Sequence, residues 1–413
     1  EKDGRFEGHE LSALAEGLKN VTRVAFQRTP ADLAAIGTLR ERFSVIRNRP
    51  LTDLDMAAVL LEDCRVGTLT FAHLARSGFV AVTLLRSAVT MGILSQAAVD
   101  DFLNTIRTVS HRFTEDAASV ARGDMSFDQL VSDYGHLRPG TYDITSASYA
   151  DDPERYLQPV VDRAQASQTV HPGASGAWAA ERQDFFSALV EAGLPSDPEE
   201  VETFLHGAIE GRELAKFEFT RHLSRALDCI ARFAGSHGLS REDMAQVPLE
   251  DLLACRAGDP GVADTPRWLR QRAQEGSEAA RTTALIELPP LIRTRDDFCG
   301  FLYAESHANF IGSQRAVADC VDLRQLAADD RAADLSGRIA LIPQADPGYD
   351  WLFGHDIAGL VTMYGGANSH MAIRAAEFGL PAAIGIGEAR YLGLAGASVL
   401  ELDPSNRRLE VVR

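Results

Sequence analysis

The sequence predicts a multidomain α and α/β protein, a mostly helical N-terminal region followed by a compact C-terminal α/β domain. Three observations carry that expectation. Apolar residues recur at helical spacing from about Leu11 to Leu130, and again from Gly176 to Cys255. Past residue 282 short apolar runs alternate with helical stretches. The chain has 413 residues, 45% of them apolar and 24% charged, an ordinary globular composition with room for two or three domains of roughly 100–200 residues each. The expected division is a helical region over 1–281, a connecting or hinge segment over 282–335 and the compact domain over 336–413.

Taken in order, Thr29-Pro30-Ala31-Asp32 carries helix-opening chemistry, and Ser95 stands ahead of a run ending near Val120. Within that run Val99, Phe102, Leu103, Ile106 and Val109 are spaced to line one helix face. Tyr134–Tyr149 holds two glycines and a proline, which break a helix and suit an ordered loop. Pro195 and Pro198 punctuate a helix–helix connection, and Glu199–Gly235 is the most persistent helical stretch. Its Glu213, Lys216, Arg221 and His222 read as a solvated face. Residues 256–281 are polar with weak periodicity and read as a linker or exposed connection. Thr283–Leu288, Gly337–Pro343, Ile357–Tyr364, Pro381–Gly387 and Ser398–Leu402 are short enough for buried strands. Asp346–Trp351 reads as a tight loop before a short helix, which either turns the chain or shapes a docking face of the domain, and His355 as a surface residue.

Charge and cysteine usage narrow the function classes. Fifty-nine acidic against 41 basic residues give a formal net charge of −18, a field that repels nucleic acid and anionic membrane, so neither is an expected partner. The five cysteines are scattered, with no C-x-x-C and no tight Cys/His spacing, which argues against a disulfide framework and against a structural metal site. A reducing, cytoplasmic setting is the expectation. The apolar stretch Phe79–Leu94 is interrupted by Arg86 and is short for a spanning helix.

The chemistry concentrates in Thr362–Pro381, where a strand runs into Gly365-Gly366 and a helix starts around Ser369-His370. The glycines allow a sharp bend and close approach of a bulky group. Ser369 is a helix-capping residue type. His370 then sits in the first turn, where free N–H groups and the positive dipole end favour a phosphate and a neutral imidazole able to attack phosphorus. Gly365, Gly366, Asn368 and Ser369 are the expected phosphate-positioning residues, and His370 the expected nucleophile.

This segment resembles the phosphohistidine swivelling domain of the phosphoenolpyruvate-utilising family, which includes pyruvate phosphate dikinase, phosphoenolpyruvate synthase and rifampicin phosphotransferase. The family motif reads G-G-x-x-S-H-x-A-I-x-A-R-E-x-G-x-P. Gly365, Gly366, Ser369, His370, Ala372, Ile373, Ala375, Glu377, Gly379 and Pro381 match it. Two residues depart: Asn368 stands where many relatives place Thr, and Ala376 where the family usually has Arg. Upstream, Tyr134–Tyr149 resembles a Y-G-H-x-x-P-G-x-x-x-(I/L)-x-S-x-x-Y segment in the helical domain of rifampicin-phosphotransferase-like members.

The resemblance implies an ATP-dependent, dikinase-like phosphotransferase. His370 would be phosphorylated at one site and swing to deliver the group to an acceptor held by the helical domain. His136, Arg138, Tyr142 and Asp143 are candidate substrate contacts, since an arginine in such a turn can clamp an anion bidentately. The implied cofactors are ATP and Mg²⁺, bound mainly by an ATP-grasp domain. No Gly-rich phosphate loop appears before residue 282 and the sequence opens at Glu1, so that domain is expected on a longer chain or another subunit. The competing class is a non-catalytic scaffold or phosphorylation-sensing module that keeps the fold. Metal-dependent hydrolysis is disfavoured, because His136, His222, His307 and His370 lack ligand spacing.

Overall fold

The computed structural model describes residues 7–166, 176–256, 264–283, 285–286, 288, 292–299, 308–324, 335–367 and 369–413. The described helices are α1 (Gly8–Ile46), α2 (Asp53–Thr90), α3 (Gln96–Leu103), α4 (Val109–Arg122), α5 (Phe127–Tyr134), α6 (Pro153–Tyr156), α7 (Gln158–Ala166), α8 (Ala177–Ala192), α9 (Pro198–Ser236), α10 (Arg241–Met244), α11 (Leu249–Leu253), α12 (Thr265–Thr283), α13 (His370–Glu377) and α14 (Glu388–Leu394). The strands are β1 (Asn309–Ile311), β2 (Ala316–Asp322), β3 (Ile339–Gln344), β4 (Gly359–Tyr364), β5 (Ala382–Ile384), β6 (Val399–Asp403) and β7 (Arg408–Val411). A helical N-terminal region is thus followed by a sheet domain. Two compact units share the chain: Glu1–Glu115 with Gln168–Ile230, and Asp116–Ser167 with Ala231–Arg413.

Among the described residues the first unit is helices and their connections. Thr52 caps α2, its hydroxyl accepting from the Asp55 amide at 3.2 Å. Gly67 on α2 brings the backbone so close to α9 that a Cβ there would lie 2.7 Å from the Phe219 Cβ. Phe26 stacks on Phe204 with ring centroids 3.8 Å apart. By length and composition α2 is apolar enough to cross a membrane. Its Leu54, Ala57, Leu60, Leu74, Ala81 and Leu85 are nonetheless buried in this bundle, as a core helix requires.

Three helix expectations are corrected here. Thr29-Pro30 does not open a helix: Pro30 lies inside the continuous α1, with Phe26 and Thr29 buried beside it and the Thr29 hydroxyl donating to Ala25 O at 2.8 Å. The run after Ser95 is two helices. Ser95 caps α3, accepting from the Ala98 amide at 3.1 Å, but the chain turns over Asn104–Thr108 and restarts where Thr108 accepts from the His111 amide at 3.2 Å. His222 does not face solvent. It is fully buried in α9, its Nε2 3.5 Å from Asp63, which also takes Arg42 at 2.6 Å.

In the second unit seven strands form one sheet in the order β1-β5-β4-β3-β2-β6-β7. The four central strands β2, β3, β4 and β5 run parallel, and β1, β6 and β7 add antiparallel edges. Ile339, Ala340, Leu341 and Ile342 of β3 and Leu360 and Val361 of β4 are all buried, the continuous apolar run that a strand covered on both faces needs. Ile339, Leu341 and Val361 share one core with Leu394, Leu400, Leu402 and Leu409.

Strands β1 and β2 fall inside the 282–335 range read as connecting segment, so that part of it is sheet. The 256–281 range read as linker carries most of α12, which buries Leu269 and Ala273. Of the expected strand Thr283–Leu288, Thr283 ends α12, and Leu285, Ile286 and Leu288 are exposed and pair with no strand among the described residues. Residues 284 and 287 lie outside the described residues.

Candidate functional site

Sheet register builds the site. Gln344 at the end of β3 pairs with Tyr364 at the end of the parallel neighbour β4. Six residues past each strand end stand Asp350 and His370, so two parallel strands in register deliver both side chains to the same edge of the sheet. The carboxyl ends of parallel strands are where open α/β sheets place their ligands.

The two connections differ in form. After β4 the chain bends at Gly365, whose φ of +143° favours glycine; a Cβ there would sit 2.6 Å from the Ala345 Cβ. The fully buried Thr362 braces the bend, donating to Tyr364 O at 3.0 Å and accepting from the Gly385 amide at 2.9 Å. Ser369 donates its amide to Gly366 O at 2.9 Å and caps α13, so His370 is the first helical residue. Asn368 lies outside the described residues. After β3 the chain forms a 3₁₀ turn, Pro347–Gly354, in place of the loop and short helix expected, and Asp350 lies within it.

Asp350 and His370 meet at 2.5 Å, Oδ1 to Nε2, with only 6% and 8% of the residues exposed. The same oxygen lies 3.6 Å from Arg374 Nε, while Arg374 donates to Glu377 at 2.8 Å. Arg374 follows His370 by four residues and shares its helix face. Its guanidinium lies over Phe378 at 4.7 Å and Phe353 at 5.6 Å from the ring centroids, an apolar cradle for a buried cation.

The 3₁₀ turn is gripped by the helical part of its own unit. Tyr149 donates its hydroxyl to Gly348 O at 2.8 Å, and a Cβ on Gly348 would fall 1.9 Å from Arg138 O. A Cβ on Gly354 would fall 2.9 Å from the Pro159 carbonyl carbon. Arg163 donates to Phe353 O and pairs with Asp356 at 3.2 Å. Tyr156 stacks on Tyr149 at 4.8 Å and meets Trp351 edge-on at 5.4 Å. Burial, and then the charge of Asp350, hold the Tyr149 phenol protonated well above the usual tyrosine range.

The upstream candidates fall into different roles. Arg138 is buried and donates to Ser146 O at 2.8 Å, tying its own loop together. Asp143 is exposed and accepts from the Thr145 amide at 2.9 Å and hydroxyl at 2.8 Å. Tyr142 is exposed and His136 half-buried. His355, expected at the surface, is half-buried edge-on to Trp351 at 5.2 Å. Asp350, Arg374 and Tyr149 are the residues that sequence reasoning missed as part of the site. Among the described residues no group of three or more His, Cys, Asp or Glu side chains is placed to hold a metal ion.

Residues 335–407 match the family model described as PEP-utilising enzyme, mobile domain. Comparison with curated proteins finds no match. The matched segment runs from just before β3 to the residue preceding β7 and contains both His370 and Asp350. The C-terminal domain is thus similar to the mobile domain of PEP-utilising enzymes, and at family level that supports a phosphohistidine-carrying, phosphotransferase reading.

Proposed function

We propose that the chain is the helical region and the phosphohistidine domain of a dikinase-like phosphotransferase, in which His370 carries a phosphoryl group between two sites. The observation that carries this reading is the placement of His370 at the first position of a Ser369-capped helix, beyond the Gly365 bend, inside the segment similar to a PEP-utilising mobile domain. In the first transfer an imidazole nitrogen attacks phosphorus of ATP held by an ATP-grasp domain. The P–N bond forms, the P–O bond to the nucleotide breaks, and the electron pair leaves on the nucleotide oxygen. In the second, an acceptor hydroxyl or enolate held by the helical region attacks phosphorus, and the P–N electron pair returns to the imidazole. Mg²⁺ bound with ATP would neutralise phosphate charge. The residues described here offer it no ligand set, so no step of this chain is routed through it.

One observation favours the competing reading of a non-catalytic scaffold or phosphorylation-sensing module: His370 is buried and paired with a carboxylate, as a structural histidine would be. Transfer of label separates the two. With an ATP-grasp domain, Mg²⁺ and labelled ATP, the chain should take up acid-labile, alkali-stable label that is lost to water or to an acceptor. Calorimetry over pyruvate and bulkier alcohols then sorts the acceptor class; a largely helical acceptor region favours the larger alcohols, and pyruvate binding alone would sink that preference.

A further inference from the structure

The contact between Asp350 and His370 has a chemical consequence for phosphoryl transfer, and the inference drawn from it rests on the carrier reading above. At 2.5 Å from Oδ1, Nε2 has its in-line approach filled by a carboxylate, and both groups are more than nine-tenths buried. A phosphoryl group on Nε2 would put two negative charges where the carboxylate now lies. In a buried site like charges at that separation repel strongly. The carboxylate and the phosphoryl group therefore exclude each other at this nitrogen.

Asp350 is not free to move by itself. It belongs to the turn that Tyr149 holds through Gly348 O, that Arg138 and Pro159 press against, and that Arg163 holds through Phe353 O. Expelling the carboxylate from His370 works directly against those contacts. Arg374 completes the arrangement: on the His370 face, 3.6 Å from the same carboxylate oxygen, it balances Asp350 now and faces the phosphoryl group once the carboxylate leaves.

We propose that Asp350 is a positioning residue that latches unphosphorylated His370 in the docked turn, and that phosphorylation of Nε2 releases the Pro347–Gly354 turn from the Tyr149–Arg163 segment. As the latch opens the Nε2 proton passes to the Asp350 carboxylate or to water while Nδ1 carries a proton, which leaves a neutral ring with its lone pair on Nε2. The P–N bond then forms while the donor's bond to phosphorus breaks and its electron pair leaves with the donor. The state of the histidine is thereby coupled to where the domain rests.

Phosphoramidate tests this on the full chain without an ATP-binding domain; it donates its phosphoryl group and leaves as ammonia. Asp350→Asn keeps the shape and removes the charge, so its His370 should label about tenfold faster than wild type, the difference between a charge-assisted and a neutral hydrogen bond. Asp350→Ala should do the same and serves if the Asn chain folds poorly. Hydrogen exchange over 347–354 is the second readout: it should rise on phosphorylation of wild type and stay unchanged on phosphorylation of Asp350→Ala, where no side chain fills the approach to Nε2. Equal or slower labelling of both variants, or exchange that ignores phosphorylation in wild type, overturns the latch while leaving the carrier reading intact. No label at His370 in either variant overturns the latch as well, while the carrier reading stands or falls on labelling from ATP through the ATP-grasp domain.

Discussion

Tyr149 and Gly348 are 199 residues apart in sequence and joined by one hydrogen bond, phenol to carbonyl, at 2.8 Å. The bond ties the segment after α5 to the turn that carries Asp350. Tyr149→Phe retains the stack on Tyr156 and leaves Gly348 O without this donor. It should lower stability by about 1–2 kcal/mol, the cost of a buried acceptor left unmatched. Urea unfolding checks it, and an unchanged midpoint would contradict the placement.

Gly348 has no room for a side chain. A Cβ there meets the Arg138 carbonyl oxygen at 1.9 Å, backbone against backbone, so neither partner can rotate away. Gly348→Ala should cost at least about 1–3 kcal/mol, as overpacking does. Gly379→Ala makes the comparison: its φ of +63° strains an alanine, but the space is open, so the cost should stay near 1 kcal/mol. Thermal melts of the two variants should rank in that order.

How much of this could be read from the sequence follows from which contacts are local. Strands β3 and β4 are continuous apolar runs, and β5 and β6 short ones, legible without their neighbours. Strand β2 alternates half-buried and exposed residues and β7 is mostly exposed, so their assignment depends on the sheet they join. Ser369-His370 was legible because a cap and its helix are adjacent. Asp350 was not: its partner is 20 residues away, beyond a strand, and only the Gln344–Tyr364 register brings the two strand ends level. The equal spacing of Asp350 and His370 from those ends is a usable signal once β3 and β4 are known to be parallel neighbours. The buried His222 misled for the complementary reason, since polar residues near it in sequence hide the fact that Asp63 and Glu218 are buried with it.

Acid should act on the sheet domain through Asp322. Burial alone would raise its carboxyl, but hydrogen bonds from Arg324 (2.7 Å) and Tyr391 (2.9 Å) outweigh that and hold it below the usual aspartate range. A carboxyl lowered on folding adds stability that is fully present above the unfolded value, near 3.9. That contribution fades as pH falls through the lower folded value. Stability of wild type should therefore drop below about pH 4 more steeply than that of Asp322→Asn. Urea midpoints measured across that range test it, and parallel pH profiles would contradict it.

Thiol reactivity offers a check on the first unit. Burial, reinforced by the neighbouring Asp63, pushes the Cys64 thiol up to about 12, and Cys229 is buried as well. Cys299 is exposed. A thiol reagent at pH 8 should modify Cys299 in the folded chain and reach Cys64 and Cys229 only on unfolding. Peptide mapping after a short exposure reads this directly, and early modification of Cys64 would contradict the packing of α2 against α9.

The central claim is that His370 carries a phosphoryl group, and site-mapped labelling tests it most directly. The chain is mixed with an ATP-grasp domain, Mg²⁺ and β- or γ-labelled ATP, then digested at neutral pH and mapped by mass spectrometry. The account predicts acid-labile, alkali-stable label on His370 and none on a His370→Ala chain that remains folded. Label absent from His370 with either ATP or phosphoenolpyruvate as donor, in a folded and assembled pair, would contradict it and leave the buried Asp350–His370 contact as structural.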